Sequence, residues 1–133
     1  MEWIIGAATV FCLYMSAKIT VKAFQEQEFM SLEVILTVFL FYLSILIGFG
    51  MIYLLFLHGG LDILELNGVP AEGNYVELLY HSLYFSAITL FSVGYGEMVP
   101  VGIGRLVAVL EAMTGYILPV VIVARTVYGL ERR

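Results

Sequence analysis

The sequence predicts an all-α membrane protein, and three observations predict it. Hydrophobic residues make up 62% of the chain and charged residues only 13%, against about 45–50% and about 25% in soluble domains. The apolar residues collect in three runs, each long enough to cross a hydrocarbon core of about 30 Å, which takes roughly 20 helical residues. A fourth run, Leu78 to Phe91, is too short to cross and ends in a glycine-containing pentapeptide. The net charge of −5 excludes a nucleic-acid partner, which needs a basic face. The single cysteine, Cys12, lies in an apolar run, so neither an intrachain disulfide nor a cysteine-rich metal site is expected.

The elements follow in order. Residues 1–29 hold the first helix, about Trp3 to Ala23, and a loop. Its last turns carry Lys18 and Lys22, which can reach an interface. Residues 3–17 are apolar on every face, which favours a transmembrane helix; a helix lying on the inner surface is the alternative. With no basic start and its lysines at the far end, the segment does not read as a signal peptide. Residues 30–133 form the second unit. A helix over 30–57 has no charge from Val34 to Leu57, and His58-Gly59-Gly60 ends it. The connection 58–74 contains the turn Asn67-Gly68-Val69-Pro70. Asn74-Tyr75-Val76-Glu77 then has the form of a capping box opening a helix over 75–91. Its apolar part suits a re-entrant helix that enters the membrane partway. After residues 92–96, a last helix over 101–130 contains Glu111, Gly115 and Pro119.

With three spans, Lys18, Lys22, Arg132 and Arg133 share one side, which is then cytoplasmic together with the C-terminus. The N-terminus and residues 58–100 face outside a cell membrane that the chain crosses several times.

Ser92-Val93-Gly94-Tyr95-Gly96 is read as non-helical backbone at membrane depth, tolerated only inside protein or along a water-filled path. Glycine adopts positive φ without steric cost, so Gly94 and Gly96 alternating with Val93 and Tyr95 allow successive carbonyls to point one way. Such a wall of oxygens can replace the hydration shell of K+, and the Ser92 hydroxyl adds one more ligand. One chain supplies one wall, so several copies must surround an axis.

The stretch from Tyr84-Phe85 through Ser92-Val93-Gly94-Tyr95-Gly96-Glu97 to Pro100 closely resembles the pore helix and selectivity filter of potassium channels. The likeness continues through Gly104-Arg105-Leu106-Val107-Ala108-Val109 to Gly115. It implies a pore domain of outer helix 30–57, turret 58–74, pore helix 75–91, filter 92–96 and inner helix 101–130. It also implies a homotetramer, each chain joined by three identical subunits in a lipid bilayer. K+ would be bound by the carbonyls of Ser92, Val93, Gly94 and Tyr95, with no other cofactor. Tyr84 and Phe85 would brace the filter, and Gly115 would be the gating hinge. Three positions depart from the family: Ser92 and Phe91 stand where threonines are usual, and Glu97 where aspartate is. A sister family of nonselective channels has aspartate in place of Tyr95. The resulting expectation is passive K+ conduction. A weakly selective cation channel is the nearest alternative, and a non-conducting membrane adaptor the alternative outside transport. No constellation of Ser/His/Asp, Cys/His or phosphate-binding glycines points to an enzyme.

Several further residues carry paired readings. Asp62, Glu65, Glu72 and Glu77, with Glu97, form either an acidic vestibule that concentrates cations or an ordinary solvated loop. Glu97 is placed to hold the filter by a hydrogen bond, with Tyr84 as partner. Glu111, an ionisable group inside a span, is either a cavity-facing or filter-coupled acid or a hydrogen-bonded structural one. Gly115 with Pro119 is a hinge or a static kink. Gly48 and Gly50 read as helix-contact glycines, and His58 and His81 as structural. The apolar run Leu61 to Leu66 is expected to cap the outer mouth. The first segment lacks an arginine ladder, so no voltage sensor is read in it.

Overall fold

The computed structural model describes residues 32–131 and, ahead of them, Ala7, Phe11, Tyr14, Met15, Ser16 and Lys18. The N-terminal helix expected over residues 3–23 lies, as an element, outside the described residues. Six elements follow one another: α1 (Leu32–His58), β1 (Leu64–Leu66), β2 (Val69–Pro70), α2 (Tyr75–Leu90), β3 (Met98–Pro100) and α3 (Gly104–Glu131). The protein is mostly helical. Among the described residues, two stretches are long and apolar enough to cross a membrane, Ile35–His58 in α1 and Gly104–Ala124 in α3. α2 packs mainly on α1 and then on α3, while α1 and α3 touch each other little. The short helix is therefore a wedge between the two long ones.

Each boundary has a local cause. At the end of α1, Gly60 adopts φ +79°. The N–H of Gly60 then reaches the Leu57 carbonyl at 3.0 Å and that of Leu61 the Phe56 carbonyl at 3.0 Å. This is a Schellman motif, which satisfies two helix-end carbonyls at once. At the start of α2, the Asn74 side chain accepts from the N–H groups of Val76 and Glu77, and the Glu77 carboxylate accepts from the Asn74 N–H at 2.9 Å. Glu77 is thus engaged in its own helix cap, which weakens its reading as a vestibule charge.

The all-α expectation needs one amendment. Between α1 and α2 the chain forms a hairpin, and its first strand also pairs with β3, giving a three-stranded antiparallel sheet of order β2-β1-β3. Asn67 at φ 52° and Gly68 at φ 80° make the two-residue turn, both positive as a type I′ hairpin requires. Strands of two or three residues are too short for alternation to show in the sequence. Their effect is plain in the packing: Ile63 and Leu64 are fully buried beside Tyr53 and Met98, so the apolar run Leu61–Leu66 belongs partly to the core.

Two close approaches pin α3. A Cβ on Gly104 would collide with the Ile63 carbonyl, and one on Gly115 with the Leu90 carbonyl. The first fixes the head of α3 against the hairpin, the second its middle against the end of α2. Replacing Gly115 by Ala should therefore force the helices apart, an overpacking that costs about 1–3 kcal/mol. Asn74→Ala removes only the α2 cap, worth about 1 kcal/mol. Thermal unfolding in detergent, followed by circular dichroism, should show a clear fall in Tm for both, larger for Gly115→Ala.

Candidate functional site

The segment Ser92–Gly96 hangs between two anchors. At its start, the end of α2 takes up the first amides: Ser92 N–H donates to the Thr89 carbonyl at 3.1 Å, and Val93 and Gly94 both donate to that of Ile88, at 2.9 and 3.2 Å. At its far end, the Asn67 N–H in the hairpin turn donates to the Glu97 carbonyl at 2.7 Å, and the next residue, Met98, enters β3. Between these anchors, no backbone N–H of the described residues donates to the carbonyls of Ser92, Val93, Gly94 or Tyr95. Those oxygens are left without a backbone partner.

The backbone of the segment alternates. Ser92, Gly94 and Gly96 have φ of 55°, 54° and 85°, with Val93 and Tyr95 between them outside the left-handed region. The two glycines supply this conformation freely. Ser92 does not, and a non-glycine residue there costs roughly 1–2 kcal/mol. Its positive φ was not legible in the sequence, where only the glycines mark left-handed positions. The side chains between them project outward, Val93 48% and Tyr95 73% exposed on the single chain.

The residues around the segment sort into those brought to it and those held elsewhere. The Tyr84 hydroxyl donates to Glu97 Oε1, and the Tyr84 ring stacks on Tyr80 at 6.3 Å. That hydrogen bond retains the phenol proton and pushes the Tyr84 pKa up to about 12. Phe85, by contrast, is buried against α1, its ring meeting the Tyr53 edge at 5.1 Å. Phe91, just ahead of the segment, stacks on Tyr42 of α1 at 5.9 Å with the planes 15° apart. Glu111 is fully buried between Tyr53 of α1 and Ser86 of α2, so it faces helices and not open space.

Gly115 and Pro119 share a backbone consequence. Proline has no N–H, so the Gly115 carbonyl loses its usual helical partner four residues on. The Tyr42 hydroxyl lies 3.4 Å from that carbonyl and partly replaces it. Tyr42 thus touches both the residue before the segment and the carbonyl freed by Pro119. A cavity of about 330 Å3 opens beside it, lined by Phe91, Ser92, Gly115, Tyr116 and Pro119. Tyr42, Tyr53 and Ser86 are the contacts sequence reasoning missed. Hydroxyls on otherwise apolar helices were the signal that could have found them. Among the described residues, no cluster of His, Cys, Asp or Glu could hold a metal ion.

Comparison with known proteins shows the family. The chain is 39% identical to protein LctB of Geobacillus stearothermophilus over 129 residues, covering 97% of this chain and 96% of that protein. It is 41% identical to protein LctB of Bacillus caldotenax over 109 residues, 82% of this chain and 81% of the relative. No solved structure matches it. Residues 41–130, which contain the C-terminal part of α1, all of α2, the segment Ser92–Gly96 and nearly all of α3, match the family described as ion channel, and the chain belongs to that family.

Proposed function

We propose that the chain is one subunit of a homotetrameric, potassium-selective channel in which Ser92–Gly96 lines the conduction path. The observation that carries this reading is the level at which α2 ends. Its last carbonyl, Leu90, abuts Gly115, while Gly104 abuts the hairpin at the head of α3. Eleven residues of helix separate the two glycines, a rise of about 16 Å. That is roughly half of a hydrocarbon core about 30 Å thick. The chain must climb back from there to β3, and residues 92–97 can reach at most about 20 Å. α2 therefore reads as a re-entrant helix, and Ser92–Gly96 as the non-helical return.

Non-helical backbone at that depth is stable only when covered by protein or facing water. A single chain covers it on one side only. On the other runs an open groove of about 810 Å3 along Ser92, Gly94 and Gly96 to Arg105 and Ala108, where a neighbouring subunit would pack. Fourfold repetition would close the carbonyls of Ser92, Val93, Gly94 and Tyr95 into rings able to replace the hydration of K+. The last turn of α2 carries no basic residue, so its partial negative charge stays directed toward mid-membrane, where it favours a cation. Lys18, Lys22, Arg132 and Arg133 support an orientation with the hairpin and the outer end of the path outside the cell and the C-terminus in the cytoplasm. Exposed Ile35, Phe39 and Leu43 on α1 suit lipid contact.

Planar bilayers holding the purified protein, with K+ on one side and Na+ on the other, should give a reversal potential far from zero in the direction of K+ permeation. A value near zero would overturn the selective reading in favour of a weakly selective cation channel. Absence of any current would favour a non-conducting adaptor. The bond between Tyr84 and Glu97 ties the outer end of the path to α2. Glu97→Gln and Tyr84→Phe should each shorten conducting periods several-fold, and the double variant should be no worse than either alone. Single-channel recording checks this; additive effects would mean the two residues act independently.

A further inference from the structure

Glu111 sits where α3 passes both α1 and α2, and three short oxygen–oxygen contacts meet around it. Tyr53 Oη lies 2.8 Å from Glu111 Oε2. Ser86 Oγ lies 2.5 Å from Glu111 Oε1 and 2.8 Å from the Leu46 carbonyl oxygen. Oxygens approach this closely as hydrogen-bonded pairs, with a proton between them. The two hydroxyls bring one proton each, whereas the carbonyl and an ionised carboxylate bring none. Three contacts thus face two hydroxyl protons.

The Tyr53 proton has one acceptor, Oε2. The Ser86 proton can serve Leu46 or Glu111, but not both. If it went to Glu111, the Leu46 carbonyl would face a serine lone pair at hydrogen-bond distance. A full negative charge would also be sealed inside an apolar bundle, which is expensive. Among the described residues of the three helices that meet there, no cation stands ready to offset it. α1 carries no titratable acid or base between Glu33 and His58 except its tyrosines, α2 has only Glu77 and His81 besides its tyrosines, both on the N-terminal side of Ser86, and on α3 the nearest basic residue, Arg105, is six positions away. If Ser86 donates to Leu46, its oxygen is free to accept, and the third proton belongs on Glu111.

We propose that Glu111 is a neutral acid donating to Ser86, and that this junction is a positioning device carrying movements of α3 to Ser92–Gly96. The second half rests on the pore reading above; the first does not. The path is short. Glu111 lies one turn before Gly115, where α3 meets the Leu90 carbonyl. Ser86 lies two residues before Ile88, whose carbonyl accepts from both Val93 and Gly94. A tilt of α2 imposed through Ser86 therefore arrives directly at the first residues of the segment, without passing through a loop.

Infrared spectra of the protein in lipid at neutral pH, with Glu111→Gln as the reference, test the proton. The parent should show a protonated-carboxyl C=O band that the variant lacks and that shifts in Ser86→Ala; an ionised carboxylate at Glu111 would overturn it. Bilayer recordings test the coupling. Glu111→Gln keeps a donor and an acceptor, so its conducting periods should match the parent's. Glu111→Leu keeps the bulk but neither group and should shorten them several-fold at unchanged ion selectivity. Where that variant fails to assemble, Ser86→Ala, which removes the acceptor, should give the same shortening. Unchanged periods in the assembled variants, or Glu111→Gln behaving like Glu111→Leu, would overturn the coupling. A parent without current would overturn the pore reading and the coupling with it, while the carboxyl band still decides the proton.

Discussion

The contact between the Leu90 carbonyl and Gly115 sets most of the remaining geometry. A helix as short as α2 cannot cross a membrane, and its end must be buried against something that accommodates exposed carbonyls. α3 offers a position without a side chain at that level. Once α2 ends there, the chain has to return beside its own helix, and the hairpin has to receive it. The pairing of β3 with β1 does this, and the Asn67 N–H on the Glu97 carbonyl fixes the register at the end that enters β3. Moving any one of these contacts would shift the unpaired carbonyls between them.

α2 is held to its neighbours at two heights by different chemistry. Toward its middle, Ser86 joins Leu46 of α1 and Glu111 of α3 through hydroxyl and carboxyl oxygens. At its end, Phe91 stacks on Tyr42, whose hydroxyl also lies near the carbonyl that Pro119 leaves unpaired. The proline therefore creates an acceptor at the height where the filter-like segment begins. A helix-breaking residue and an aromatic contact on another helix become parts of one joint. Polar groups inside apolar helices are costly unless paired, so such joints tend to resist sliding.

The long elements were legible because their signals are compositional. An uncharged run from Val34 to Leu57 reads as a crossing helix, and Asn74 with Glu77 reads as a cap, since each rests on local chemistry. The three short strands were not legible, because two or three residues contain no period and the pairing of β1 with β3 is long-range. The contacts of Glu111 were half legible. Its cost inside a span marked it as special, but the partners lie 58 and 25 residues away. No spacing within one helix could name them. Phe85 shows another limit of sequence: its neighbour Tyr84 reaches Glu97, while the Phe85 ring meets Tyr53 of α1, a partner 32 residues away that no local spacing names.

The three departures from the potassium-channel pattern each find a local reason in this chain. Ser92 has φ of 55°, a conformation that crowds a β-branched residue more than a serine, so the absence of the threonine methyl eases the left-handed backbone found here. Phe91 would be an awkward replacement for threonine alone, but Tyr42 supplies a ring for it to stack on. Glu97 is one methylene longer than aspartate and meets the phenol oxygen of Tyr84. Single residues lifted from this arrangement would look like damage to a selective filter. With their partners they form a connected set of supports around the alternating backbone of Ser92–Gly96, so replacing Phe91 by threonine alone would forfeit its stack on Tyr42.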